Sequence, residues 1–205
     1  MNKEYVHLCI VLDASGSMQV IQDDIKGSFK TFMAEQQREE GKTVLDVFQF
    51  SGRIERIIEH ADMAVYKEEL MNSYRCDGRT ALYDALCKAI DTLGREFAAM
   101  PEEERPGKVI FTIVTDGHEN ASRFFTLEDV KERIARQTNE YAWEFVYLAA
   151  NQDEFEAQRI SRSMGGCQSM VSASMADLAG TTCRSMRVAV RKARDDRRAD
   201  PGKAE

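Results

Sequence analysis

"HLCIVLDASGSM" (residues 7–18) decides how the chain is read. An apolar run closes on Asp13, and Ser15 and Ser17 follow at alternate positions. So continuous a run reads as a strand covered on both faces, the kind found in parallel sheets flanked by helices. Asp13, Ser15 and Ser17 then stand where that strand leaves the core. In open α/β sheets, ligands gather at the carboxyl ends of the strands, where the strand order reverses.

The rest of the chain supports that reading. "QVIQDDIKGSFKTFMAEQQREE" carries Val20, Ile21, Ile25, Phe29, Phe32 and Met33 near helical spacing. "TVLDVFQFS" alternates as a second strand, and Ser51-Gly52 turns into "RIERIIE", a third. So short a turn makes that pair antiparallel, because a parallel return needs a long crossover. "TALYDALCKAIDTLGREFAAM" predicts a helix, and the prolines of "MPEEERPGK" break it. "KVIFTIVTD" reads as a strand buried on both faces. "TLEDVKERIARQ" reads as a helix, with Thr126 as its N-cap and Asp129 three residues on. "WEFVYLAAN" is a strand, "EFEAQRISRSMG" a helix closed by glycines, and "QSMVSAS" a short weak strand. A last helix starts near Ser174, with Asp177 three residues later, and runs into "RSMRVAVRKARDDRR". The order predicts a three-layer, doubly wound α/β fold. Its sheet is mainly parallel and six-stranded, with one antiparallel edge strand. We expect a single domain over residues 1–198 and a disordered tail over 199–205.

The 205 residues are 43% hydrophobic and 31% charged, which suits one domain with a sizeable core. The net charge of -7 argues against a chain built to neutralise phosphates. The five cysteines, Cys9, Cys76, Cys87, Cys167 and Cys183, form no C-x-x-C pair. They point to a reducing compartment without a disulfide framework. The N-terminus lacks the pattern of a signal peptide, and no window reaches the ~18 apolar residues of a membrane span. The expected location is cytoplasmic.

Two further segments reach the same rim as Asp13. Asp116, in "IFTIVTDGHEN", ends the later buried strand, and Thr80, in "RCDGRTALYDAL", stands at a helix entry. Two carboxylates and three hydroxyls make a set of hard oxygen donors. No histidine or cysteine joins them, which disfavours zinc and copper and favours Mg²⁺, with Mn²⁺ or Ca²⁺ as alternatives.

This constellation resembles the von Willebrand factor A domain and its metal-ion-dependent adhesion site. The family pattern D-x-S-x-S, then T, then D is met by Asp13, Ser15 and Ser17, then Thr80, then Asp116. "LDASGSM", "GRTALYDAL" and "VTDGHEN" fit around them, and the element order matches over about residues 4–195. "LAANQDEFEAQ" is similar to small stand-alone bacterial and phage members. The resemblance implies that Ser15, Ser17 and Thr80 touch the metal, that Asp13 and Asp116 often act through water, and that one position stays open. An Asp or Glu of a partner protein would fill it.

Neighbouring residues admit plainer readings. Asp84 either bonds a ligand hydroxyl or is an ordinary helix-surface carboxylate. His118 and Glu119 either shape a partner surface or are exposed loop residues. For Asn151, capping of its loop is preferred over ligand contact, and Met18 is either a loop-tip contact or an apolar plug under the loop, with the plug preferred. The last helix carries a net +5 over residues 184–198, leaving -12 on the remainder. Such a helix can bind nucleic acid or an anionic surface, or dock on an acidic body through Met186, Val188, Ala189 and Val190. No aromatic residues interleave with its charges, which argues against single-stranded nucleic acid.

Three functions follow. The favoured one is a non-enzymatic, metal-dependent protein-interaction module. The second is a metal-dependent phosphohydrolase of the haloacid dehalogenase type. Such enzymes usually carry a second aspartate two residues after the first, where this chain has Ser15. The third is a nucleic-acid or assembly role through the basic helix. No P-loop motif occurs.

Overall fold

A central strand, β1 (Asn2–Asp13), carries the core on both of its faces. The computed structural model describes residues 1–38, 41–65, 68–150, 162, 168–171 and 174–199. The helix expected over residues 154–165, apart from residue 162, lies outside them. So do Asn151, Cys167 and the tail beyond residue 199.

β1 is followed by a 3₁₀ turn (Gly16–Ile21), α1 (Gln22–Gln36), β2 (Lys42–Phe50) and β3 (Ile54–Asp62). A second 3₁₀ turn (Glu68–Ser73) leads to α2 (Leu82–Ala99). Then come β4 (Pro106–Thr115), α3 (Leu127–Tyr141), β5 (Glu144–Ala149), β6 (Gln168–Val171) and α4 (Met175–Ala199). The sheet has six strands in the order β3-β2-β1-β4-β5-β6. Among the described residues only the β2–β3 pair is antiparallel, and β3 is an edge strand, as the Ser51-Gly52 turn predicts. The order reverses between β1 and β4, so the crevice there opens beside Asp13 and Asp116.

Alternation along β1 builds the layers, because successive strand side chains point to opposite faces. Val6, Leu8, Ile10 and Leu12 face Ile25, Phe29 and Phe32 of α1 and Leu178, Met186 and Val190 of α4. Cys9 and Val11 face Leu86, Ile90 and Leu93 of α2 and Val130 and Ile134 of α3. Trp143, Phe111, Phe145 and Phe97 close the second layer with ring centroids 5.1–6.3 Å apart.

Two apolar assignments change. Val20 is 82% exposed, because residues 16–21 wind as 3₁₀ before α1 begins and three residues per turn rotate it out of the stripe. Val188 is 67% exposed, and the buried face of α4 runs instead through Leu178, Cys183, Met186, Val190 and Ala193. Spacing near 3.6 residues per turn connects those positions and leaves Val188 outside them. The helix docks on α1 with an Arg187–Glu35 ion pair at 2.5 Å, and Arg194 donates to Thr43 at 2.9 Å. Met18 is a plug as read, with no exposed surface.

α3 starts on the predicted cap. Thr126 Oγ1 accepts from the Asp129 amide, and the Asp129 carboxylate accepts from the Thr126 amide. The helix ends at Ala142 with φ 53°, a left-handed conformation that a Cβ disfavours. Ala142→Gly should therefore raise unfolding free energy by about 0.5–1 kcal/mol. Urea denaturation of the two proteins measures it, and a loss of stability would contradict the strain reading.

Candidate metal centre

The five residues singled out by the sequence stand together at the carboxyl rim of β1 and β4. Asp13 is wholly buried, Ser15 and Thr80 nearly so, Asp116 is partly exposed and Ser17 exposed. The Asp13 carboxylate is held on both oxygens. Oδ1 accepts from the Ser15 amide at 2.7 Å, and Oδ2 accepts from Thr115 Oγ1 at 2.6 Å. Ser15 Oγ and Ser17 Oγ are 3.1 Å apart, and Ser17 Oγ donates to Asp116 Oδ1 at 2.9 Å. A Cβ at Gly117 would lie 3.3 Å from Thr80 Oγ1 and 4.0 Å from Asp13 Oδ2, so those two oxygens border one small space.

Backbone bonds lock the three segments to one another. Tyr74 Oη donates to the Asp13 carbonyl at 2.6 Å, and the Asp77 amide donates to the Ala14 carbonyl at 2.7 Å. The Gly16 amide donates to the carbonyl of Gly78, whose φ of 82° suits glycine. Thr80 and Asn120 exchange bonds: the Thr80 amide donates to Asn120 Oδ1, and the Asn120 amide donates to the Thr80 carbonyl, each at 3.0 Å.

Asp84 bonds no hydroxyl of the rim. Its carboxylate accepts from the amides of Arg123, Phe124 and Phe125 at 2.8–3.0 Å and pins that loop to the first turn of α2. Glu119 acts likewise, accepting from the amides of Tyr83, Ala121 and Ser122. Both carboxylates are therefore loop anchors. His118 is exposed.

Burial pushes the Asp13 carboxyl up to about 6, against the hydrogen bonds from Thr115 and Ser15, and the Asp116 charge adds to the rise. Two neighbouring carboxylates, one of them buried, are an arrangement that a cation relieves. The donors are all oxygen, and two of them, Thr80 Oγ1 and Asp13 Oδ2, border one small gap. That chemistry fits a small hard ion.

The von Willebrand factor type A domain model matches residues 7–183. The chain belongs to this family. Its A-domain fold is shared with solved structures of low sequence identity. The minor pilin PilB from Streptococcus sanguinis, solved as a point mutant, superposes with a TM-score of 0.65 at 11% identity, over 93% of this chain and 61% of that one. A von Willebrand factor type A protein from Catenulispora acidiphila gives 0.59 at 16%, over 88% and 41%. Proximal thread matrix protein 1 from the mussel byssus, solved with a zinc-occupied adhesion motif, gives 0.59 at 15%, over 86% and 46%. The chain thus spans about two-fifths to three-fifths of the length of these proteins. No curated protein matches the sequence. Among the described residues, no helix is long and apolar enough to cross a membrane.

Thr115, Tyr74 and Asn120 support the rim without having been singled out by the sequence. Thr115 had a signal, since it directly precedes Asp116 on a strand end. Tyr74 and Asn120 act through backbone groups of distant segments, which no local pattern announces. A second group of metal-ligating side chains also escaped the sequence. His7, Asp46 and His60 bring their ligand atoms within 4.8 Å of one another, well below the rim.

Proposed function

We propose that this A domain is a non-catalytic protein-interaction module. Asp13, Ser15, Ser17, Thr80 and Asp116 hold Mg²⁺, or Mn²⁺ or Ca²⁺, and the ion receives an Asp or Glu of a partner protein. The observation that carries this is the oxygen cluster itself: three chain segments, locked by backbone bonds, turn two carboxylates and three hydroxyls to one partly open rim.

The burial gradient supports the reading. Asp13, Ser15 and Thr80 anchor from below, while Ser17 and Asp116 meet solvent. Few negative ligands leave a bound dication with positive charge, which a carboxylate from outside completes. Asp116 reaches the ion while its loop is held by Glu119, Asn120 and Asp84. The cluster is therefore pre-organised and need not form on binding.

The phosphohydrolase alternative gains nothing. The position two after Asp13 is Ser15, which bonds Ser17 and stands clear of a general-acid role. Free, largely buried thiols at Cys9, Cys87 and Cys183 support a reducing, cytoplasmic location. The test is affinity capture from the source-cell lysate in Mg²⁺ and in EDTA. A partner retained only in Mg²⁺ is expected, and retention unaffected by EDTA would refute the metal-gated reading.

A further inference from the structure

We propose that His7, Asp46 and His60 form a second, transition-metal site, suited to Zn²⁺ and separate from the rim. His7 lies six residues before Asp13 on β1, so at ~3.3 Å per residue the two sites stand roughly 20 Å apart. The site faces the α2 side of the sheet, where His7 packs edge-on against Phe97.

The observation that carries this is the cluster itself: the ligand atoms of His7, Asp46 and His60 all lie within 4.8 Å of one another. His7 Nε2 and Asp46 Oδ2 are 2.7 Å apart, and both side chains are wholly buried. The other ring nitrogen, Nδ1, lies 2.8 Å from Tyr5 Oη. An Nδ1–H donated there leaves a lone pair on Nε2, aimed at a carboxylate oxygen. An ion seated between them would take both as ligands.

His60 completes the set by an unusual route. β3 carries an extra residue against β2, since Leu45 pairs with Ala61 but Val47 pairs with Ile58. Within that bulge His60 takes φ 44°. Bulges re-aim side chains, and here the ring turns inward. Its Nδ1 stands 3.2 Å from Asp46 Oδ2, and its amide donates to Asp46 Oδ1 at 3.1 Å. Its Nε2 lies 3.2 Å from Glu96 Oε2 and from Arg56 Nη2. Arg56 already has carboxylate acceptors in Asp46 and Glu96, so the ring is free to give Nε2–H to Glu96. Both histidines then have the far nitrogen bonded and the near one open, the arrangement that orients imidazole ligands on metals.

Two imidazoles and one carboxylate are the donor set of zinc and do not suit magnesium. Tetrahedral ligands ~2.1 Å from one ion stand about 3.4 Å apart, so the group needs shifts below about 1 Å. Among the described residues, Asp46, Glu96 and Glu59 all pair with the one Arg56 guanidinium, so the group carries net negative charge. The His60 side chain is 34% exposed, which gives an ion a way in and leaves a coordination position for water.

The test is calorimetric titration of the full chain with Zn²⁺, in an Asp13→Ala background so that the rim does not compete. We expect one tight site per chain, weakened at least ~100-fold by adding His60→Asn. Asparagine tolerates the positive φ, so this variant keeps the fold, which far-ultraviolet circular dichroism verifies. Glu96→Gln, which touches no metal, should weaken binding by about 10-fold or more. Co²⁺ in place of Zn²⁺ should give the visible absorption of a four-coordinate ion. An Asp13→Ala protein that takes up no Zn²⁺, or a folded His60→Asn variant that binds it unchanged, would overturn the proposal. Neither outcome touches the rim, whose Mg²⁺ titration is separate.

Discussion

Asp13→Ala should abolish Mg²⁺-dependent partner retention and weaken Mg²⁺ binding by at least ~100-fold. Loss of an outer-shell partner of a metal costs 10–100-fold, so loss of a buried anionic group of the cluster itself should cost no less. The wild type should gain thermal stability in Mg²⁺, about 2.7 kcal/mol when the ion stands at 100 times its Kd. The variant should gain none. Its fold should survive. The substitution removes two hydrogen bonds, from the Ser15 amide and Thr115 Oγ1, but it also removes a wholly buried carboxylate that is costly without a cation. Asp13→Asn separates the two effects, because it can keep a hydrogen bond while losing the charge. Calorimetry and thermal unfolding with and without Mg²⁺ read all of this. Unchanged Mg²⁺ affinity in Asp13→Ala would remove the site as assigned.

Arg56→Ala should lower unfolding free energy by about 3–5 kcal/mol, the usual cost of breaking a buried ion pair from one side. Asp46 has no exposed surface, and Arg56 Nε donates to its Oδ1 at 2.5 Å. The same guanidinium reaches both Glu96 oxygens and thereby ties β3 to α2. Its loss leaves a wholly buried carboxylate without its guanidinium partner. Adding Asp46→Asn should recover most of the deficit, since no unpaired charge then remains. Saturating Zn²⁺ should also shrink it, because the ion would take over the neutralisation of Asp46. Urea denaturation checks each variant, and a loss under about 1 kcal/mol for Arg56→Ala would show that the pair is not energetically coupled to the fold.

Much of the architecture was legible because it is local. The apolar run of β1, the tight turn after Phe50, the cap at Thr126 and the acid three residues after Ser174 each write their element in a few neighbouring residues. Six strands and the antiparallel edge follow from these and from connection lengths. The five rim residues were legible for a different reason: each ends a strand or enters a helix, and the strand ends of this fold meet at one place. What escaped depends on register and rotation. The 3₁₀ turn that exposes Val20 differs from an α-helix by a fraction of a residue per turn. Asp84 sits one turn past Thr80, a position compatible with either role, and only the returning loop of residues 123–125 decides it. His7, Asp46 and His60 are brought together by the parallel pairing of β1 with β2 and by one bulge in β3. Nothing within any single segment predicts that meeting.

The most direct test of the rim is Mn²⁺ titration into ¹⁵N-labelled protein, with paramagnetic broadening read at each amide. Substoichiometric Mn²⁺ should first erase the signals around residues 13–17, 79–81 and 115–117, and excess Mg²⁺ should restore them. Broadening that spares these amides, or persists unchanged in Asp13→Ala, would contradict the metal-dependent adhesion site.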